Sequence, residues 1–78
     1  MNTKTPAYER IQAAVKFYSR ERGYGFCKRA NKPDIFFSSK ALEKANIHTV
    51  KENDILEFDL IPVQGKGGKA LNIKKVDK

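Results

Sequence analysis

The chain has no tryptophan, one cysteine, one methionine and one histidine in 78 residues. A lone Cys27 excludes an internal disulfide framework and a cysteine-based metal cluster. Set in an apolar run, it reads as a small buried core residue. His48 stands in a polar loop and reads as a solvated side chain; no Cys/His grouping has zinc spacing. No apolar run approaches the roughly 18 residues of a membrane span, and no signal-peptide hydrophobic stretch is present. A cytoplasmic protein without a membrane partner is therefore expected. Ser38-Ser39 has no histidine nearby in sequence, and a serine pair alone does not define a nucleophile. Glu57 and Asp59 share a strand face, as solvent-facing pairs commonly do. Gln64-Gly65-Lys66-Gly67-Gly68-Lys69 lacks the spacing and following helix of a phosphate loop and reads as a hairpin tip. No enzymatic activity, catalytic residue, metal, cofactor or small-molecule substrate is expected.

Negative charge is also scarce. Sixteen Lys and Arg face nine Asp and Glu, for a net charge of +7. Residues 1–40 hold nine of the basic and three of the acidic side chains, giving +6, while residues 41–78 carry only +1. The excess lies with an aromatic run, Arg22-Gly23-Tyr24-Gly25-Phe26 followed by Asp34-Ile35-Phe36-Phe37. Rings stack on bases and cations hold phosphates, so the pairing points to single-stranded nucleic acid. A plain solvated basic face accounts for the charge alone equally well, but not for the rings. Too many aromatic and aliphatic side chains are present for one small barrel to enclose. Strand alternation puts Tyr24, Phe26 and Phe36 opposite the positions expected in the core.

At this length the chain makes one domain, burying only about 60–65% of its unfolded surface. Residues 1–12, polar and containing Pro6, are expected to form a flexible tail, with residues 13–78 as the domain. Tyr8–Ala14 could add a turn of helix. Period-two patterning and turn residues predict strands over Ala13–Tyr18, Tyr24–Arg29, Asp34–Ser38, Ile55–Ile61 and Ala70–Val76. Around Lys16 and Phe17 the facing stays open, because a bulge would bring both to one surface. Ser39 could cap a short helix over Lys40–Ala45. Pro62 limits the end of the fourth strand. Five short strands without β-α-β alternation argue an all-β antiparallel barrel.

Three segments then carry a resemblance to the cold-shock domain, an OB-fold barrel, over residues 13–76. Val15-Lys16-Phe17-Tyr18 resembles that family's V-K-W-F strand. Arg22–Phe26 resembles its K-G-F/Y-G-F motif, and Asp34–Phe37 resembles the start of its D-V-F-V-H-F motif. Lys66-Gly67 resembles the K-G of its final hairpin. The resemblance implies binding of single-stranded RNA or DNA by a monomer, with RNA-chaperone action or regulation of transcription or translation. By the family pattern, Lys16, Phe17, Arg22, Tyr24, Phe26, Asp34, Phe36 and Lys66 fall at binding positions. Phe17, Tyr24, Phe26 and Phe36 would stack; Lys16, Arg22 and Lys66 would serve phosphates or base edges. Tyr18 would add a flanking surface. Val15, Cys27, Ile35, Phe37, Leu56, Phe58, Leu60 and Ile73 would form the core. Ser38 and Ser39 stand where the family has His and an aromatic residue, and Phe17 replaces its Trp. A weaker, more salt-dependent binder is expected, tightened by Ser38→His with Ser39→Phe. A competing reading is a small barrel that docks a ribosomal or other protein, or structured RNA, through the same surface.

Overall fold

In the computed structural model, which describes residues 8–76, the alternating segments become β1 (Arg10–Ser19), β2 (Tyr24–Arg29), β3 (Lys32–Ser38), β4 (Ile55–Ile61) and β5 (Lys69–Lys75). A one-turn helix, α1 (Ser39–Lys44), follows β3. The strands close into a barrel in the order β1-β2-β3-β5-β4, the all-β, OB-type architecture expected. Four seams are antiparallel. The fifth seam joins β3 to β5. It is a parallel contact made through Phe36 and Lys69, with the Phe36 N–H donating to the Gly68 carbonyl at 2.9 Å.

The first strand begins earlier than its alternation suggests. Arg10, Ile11 and Gln12, assigned to the tail from sequence, pair with Asp59, Phe58 and Glu57 of β4. The helical turn allowed for Tyr8–Ala14 is replaced by strand from Arg10 onward. A ladder to a distant strand satisfies these backbone groups, which local propensity could not foresee. Residues 1–7 of the expected tail lie outside the described residues.

The interior is built from Val15, Cys27, Ile35, Phe37, Leu56, Phe58 and Ile73, all expected, together with Leu42, Val50 and Ala70. Leu60 is half-buried and packs on this cluster. Burial, reinforced by the Asp34 charge, pushes the Cys27 thiol up to about 12, so it stays protonated and inert.

Helix α1 is capped at both ends. The Ser38 hydroxyl accepts the Ala41 N–H at 3.1 Å, so Ser38, not Ser39, is the N-cap. At the other end Asn46 takes a φ of 62°, and the Asn46 and Ile47 N–H groups donate to Glu43 and Leu42 carbonyls at 2.9 Å each. This pair of bonds is a Schellman closure, with Ile47 brought beside Leu42. Docked on β3 and β5, the helix sits at the mouth of the weakest seam.

Outside the barrel, β1, β4 and β5 share a polar network. Arg10 donates to Glu57 Oε2 at 2.8 Å and to Asp59 Oδ1 at 3.0 Å. Asn72 Nδ2 donates to Asp59 Oδ2 at 2.8 Å. The Arg10 bond holds the Glu57 carboxyl below its usual range. For Asp59 the Asn72 bond is the larger cause, followed by Arg10. The Lys51 N–H and then Lys75 depress Asp54 in the same direction. Depressed carboxylates stabilise the fold fully above their unfolded pKa of about 4 and lose that contribution as pH falls through their folded values. Urea midpoints measured below pH 4 are expected to fall less steeply with pH in Arg10→Gln than in the parent chain.

Candidate nucleic-acid interface

A β-bulge decides which side chains meet on the outer face. Val15 pairs with Cys27, but the next pair is Phe17 with Phe26, leaving Lys16 as the extra residue in β1. The bulge restores Phe17 to the outside. Val15 is fully buried, while Lys16 and Phe17 are both exposed.

Phe17 therefore joins Tyr24, Phe26 and Phe36. Tyr24 lies 6.0 Å from Phe36 at 30°, close to a stacked pair. Phe26 stands edge-on to both, 5.8 Å from Tyr24 and 6.0 Å from Phe36. Phe17 meets Tyr24 at 6.3 Å and 55°. These separations are those of mutually supporting rings, about 4.5–7 Å. The cluster covers three adjacent strands yet leaves faces free: Phe17 and Phe36 are 43% and 37% exposed. Of the five phenylalanines, only Phe37 and Phe58 are fully buried.

The charged positions surround the rings. Lys16 Nζ lies 2.9 Å from Asp34 Oδ2 in an exposed ion pair. Arg22 is exposed in the β1–β2 turn. That turn is set by its own N–H donating to Ser19 Oγ at 3.1 Å and by Gly23 at a φ of 84°. Lys66 is exposed on the β4–β5 loop. Its neighbour Gly67 presses on the Pro33 and Asp34 carbonyls so closely that no side chain fits there.

Tyr18 and Ser38 are engaged elsewhere. Tyr18 turns inward by strand alternation and stacks on Phe37, with centroids 5.7 Å apart, so it supports the core rather than flanking the rings. Ser38 lies across from Tyr24, but its hydroxyl oxygen is engaged by the helix cap. Lys69, missed from sequence, sits beside Phe36 across the closing seam. The Gly-rich segment before it reads as hairpin tip through Lys69, and only the barrel closure makes Lys69 a strand residue.

A phosphate approaching Lys16 would have to compete with Asp34. An exposed pair of this kind is worth about 0–1 kcal/mol. Asp34→Asn is expected to tighten oligonucleotide binding up to about fivefold at low salt, read by fluorescence anisotropy. Weaker binding would instead assign the Asp34 carboxylate a direct base contact.

Among the described residues, no group of three or more His, Cys, Asp or Glu is placed to hold a metal ion. No helix among them is long and apolar enough to cross a membrane.

Comparison with known proteins places most of the chain within one family. Residues 11–76 match the 'Cold-shock' DNA-binding domain. A cold shock-like protein of Thermotoga maritima is 31% identical over 67 residues, which cover 86% of this chain and all of the relative. A major cold shock protein of Streptococcus pyogenes is 32% identical over 65 residues, covering 83% and 96% of the two chains. The cold shock-like protein CspC of Bacillus cereus is 29% identical over 66 residues, covering 85% and 100%.

Proposed function

Because the chain belongs to the cold-shock domain family of nucleic-acid-binding proteins, we propose that it binds single-stranded RNA or DNA by stacking unpaired bases on Phe17, Tyr24, Phe26 and Phe36. Lys16, Arg22, Lys66 and Lys69 hold the phosphates around them. The observation that carries this reading is the outward ring cluster itself. Four aromatic side chains on three strands contact one another on the surface. Keeping such rings in water has a cost that burial would have avoided, and a stacked base offsets it.

The action that follows is that of an RNA chaperone. A protein that binds only the open strand shifts base-pairing equilibria toward it by mass action, as far as its concentration exceeds its Kd. No nucleotide hydrolysis is required. Modest affinity with rapid release suits the task, since a tightly held strand could not go on to pair correctly.

The deciding experiment is fluorescence anisotropy with a labelled pyrimidine-rich DNA strand, the matching RNA strand and a duplex, at low and moderate salt. Preference for the single strands that persists as salt rises supports stacking. Equal binding to all three that vanishes with salt leaves only charge. The surface would then be a docking face for a protein or structured RNA.

The two serines after Phe37 separate affinity from stability. Ser39→Phe places a ring near the end of the cluster without touching a cap and is expected to tighten binding about fivefold or more. Ser38→His adds an imidazole beside Tyr24 but removes the N-cap, at a cost of about 1 kcal/mol. Tighter binding in both, with a lower urea midpoint in Ser38→His alone, is the expected pattern.

A further inference from the structure

The closing seam opens into a groove. Beyond the Phe36–Lys69 contact, β3 and β5 diverge, and α1 fills the gap from one side. Between α1 and β5 lies a groove of about 530 Å³, within the size range of sites that take small organic ligands. Its lining includes Ala41, Ala45, Leu71 and Ile73, apolar and without bulky side chains on the helix side. Lys40 and Lys44 also line it, one helical turn apart on α1 and both exposed. Neither has an ion-pair partner among the described residues.

Leu71 adds a second observation. In an unbroken strand it would share a face with the buried Ile73 two residues on, yet it is 40% exposed. A bulge in β5 is the cause: the pairing slips between Glu57 and Asp59, and Asn72 takes a φ of 54°. Leu71 is thereby turned into the groove, while Ala70 and Ile73 stay buried. A strained backbone at a non-glycine residue and an exposed leucine both carry a cost. A flat stacked ligand on the groove floor offsets the second.

One residue links the groove to the ring surface. Ser38 lines the groove and lies across from Tyr24 of the ring cluster, two residues after Phe36 on β3. Four residues of chain separate Phe36 from Lys40, so their α-carbons are at most about 14 Å apart. A strand leaving Phe36 therefore reaches Lys40 within a few nucleotides.

Resting on the single-strand reading above, we propose that the α1–β5 groove is a second subsite for the same nucleic acid strand. In it Lys40 and Lys44 hold backbone phosphates, and a base beyond the ring cluster lies on the Leu71 floor. Two free cations on an apolar trough match a polyanion with flat apolar bases. The subsite extends the length of strand gripped rather than the affinity for any one base.

The test compares a tetranucleotide, about the length the four rings can cover, with a decanucleotide, both within the range of OB-type sites. Two phosphates on a single strand contribute about 1.4 to the slope of log K against log salt. Lys40→Gln with Lys44→Gln is expected to remove that slope for the decamer and weaken it up to about 25-fold at 0.1 M salt. Tetramer binding should be unchanged. Leu71→Glu should show the same length-selective loss without altering either lysine. Equal effects on both oligonucleotides, or none on either, would overturn the subsite. So would a glutamate- and leucine-rich peptide that binds the parent chain and not the double variant while the decamer is unaffected; the groove would then be a protein-docking face. Tyr24→Ala is the separate control. If it leaves tetramer binding intact, base stacking on the rings fails, whatever the groove does.

Discussion

Alanine at Gly25 is expected to destabilise the protein severely, although it adds one methyl group to a strand. Gly25 is buried in β2 opposite Tyr18. A Cβ there would run into the Phe17 carbonyl oxygen, and would stand 2.6 Å from Phe37 Cζ and 2.9 Å from the Tyr18 α-carbon. Two of these neighbours are backbone and cannot swing away. The third is a ring locked in the core and stacked under Tyr18. Relief requires opening the β1–β2 seam next to the Lys16 bulge. Overpacking of a tight core commonly costs about 1–3 kcal/mol, and a clash against fixed backbone belongs at or above the top of that range. A chain of this size has about 4–12 kcal/mol to lose. Urea denaturation followed by circular dichroism should show the midpoint falling by about 3 M or more, taking a slope of about 1 kcal/mol per molar for so small a domain. A shift under about 0.5 M would mean that the seam yields more easily than its contacts allow.

Two adjacent phenylalanines should part binding from folding. Phe36→Ala removes a ring that contacts both Tyr24 and Phe26 on the outer face. Losing one base–aromatic contact costs about 1–3 kcal/mol, or about five- to 150-fold in Kd. The fold should lose little, since the ring is more than a third exposed and its ring–ring contacts are worth about 0.5–1.5 kcal/mol each. Phe37→Ala does the reverse. Phe37 is fully buried, and truncating a core phenylalanine costs about 3–5 kcal/mol. A chain that still folds at low temperature should bind once folded, because Phe37 does not reach the ring face. Anisotropy titration beside a urea curve for each variant reads both effects. Undiminished binding in Phe36→Ala would remove Phe36 from the stacking surface. A stable Phe37→Ala would contradict the packing of the barrel.

That contrast also marks what could be read from the chain before its structure. Period-two alternation is a local signal, and it placed Phe36 out and Phe37 in, Tyr24 and Phe26 out and Cys27 in. It set the β2 and β4 limits, because Gly23, Asn53 and Pro62 punctuate them sharply. What it could not supply were relations between distant segments. Arg10–Gln12 became strand because β4 was there to pair with them. Lys69 became a neighbour of Phe36 because the barrel closes at that point. Bulges were half legible. The one at Lys16 was suggested by a cation and a ring that both belonged outside. The one that exposes Leu71 had only Asn72 to announce it, and asparagine has many other uses. Ser38 and Ser39 are equally good caps by type, and only the hydroxyl of Ser38 aligned with the Ala41 N–H decides between them. Leu42 and Val50 entered the core from a helix and a loop, where no alternation exists to count.

The parallel clasp between Phe36 and Lys69 has a consequence for the order in which the chain comes together. The β1–β2–β3 meander joins residues close in sequence, and each of its hairpins closes a short loop. The clasp joins positions 36 and 69, so it closes a long loop for little local pairing, and loop-closure entropy disfavours it until the rest is in place. With a single paired position, it has the least pairing of the five seams to hold it closed. On the proposed function, the residue that makes it, Phe36, would also offer its ring to a base. A nucleotide that ordered this ring would oppose the opening of the clasp, and by linkage a closed clasp would present a better-ordered ring. Strand binding and barrel closure would then be two readings of one equilibrium, with its hinge at a single phenylalanine.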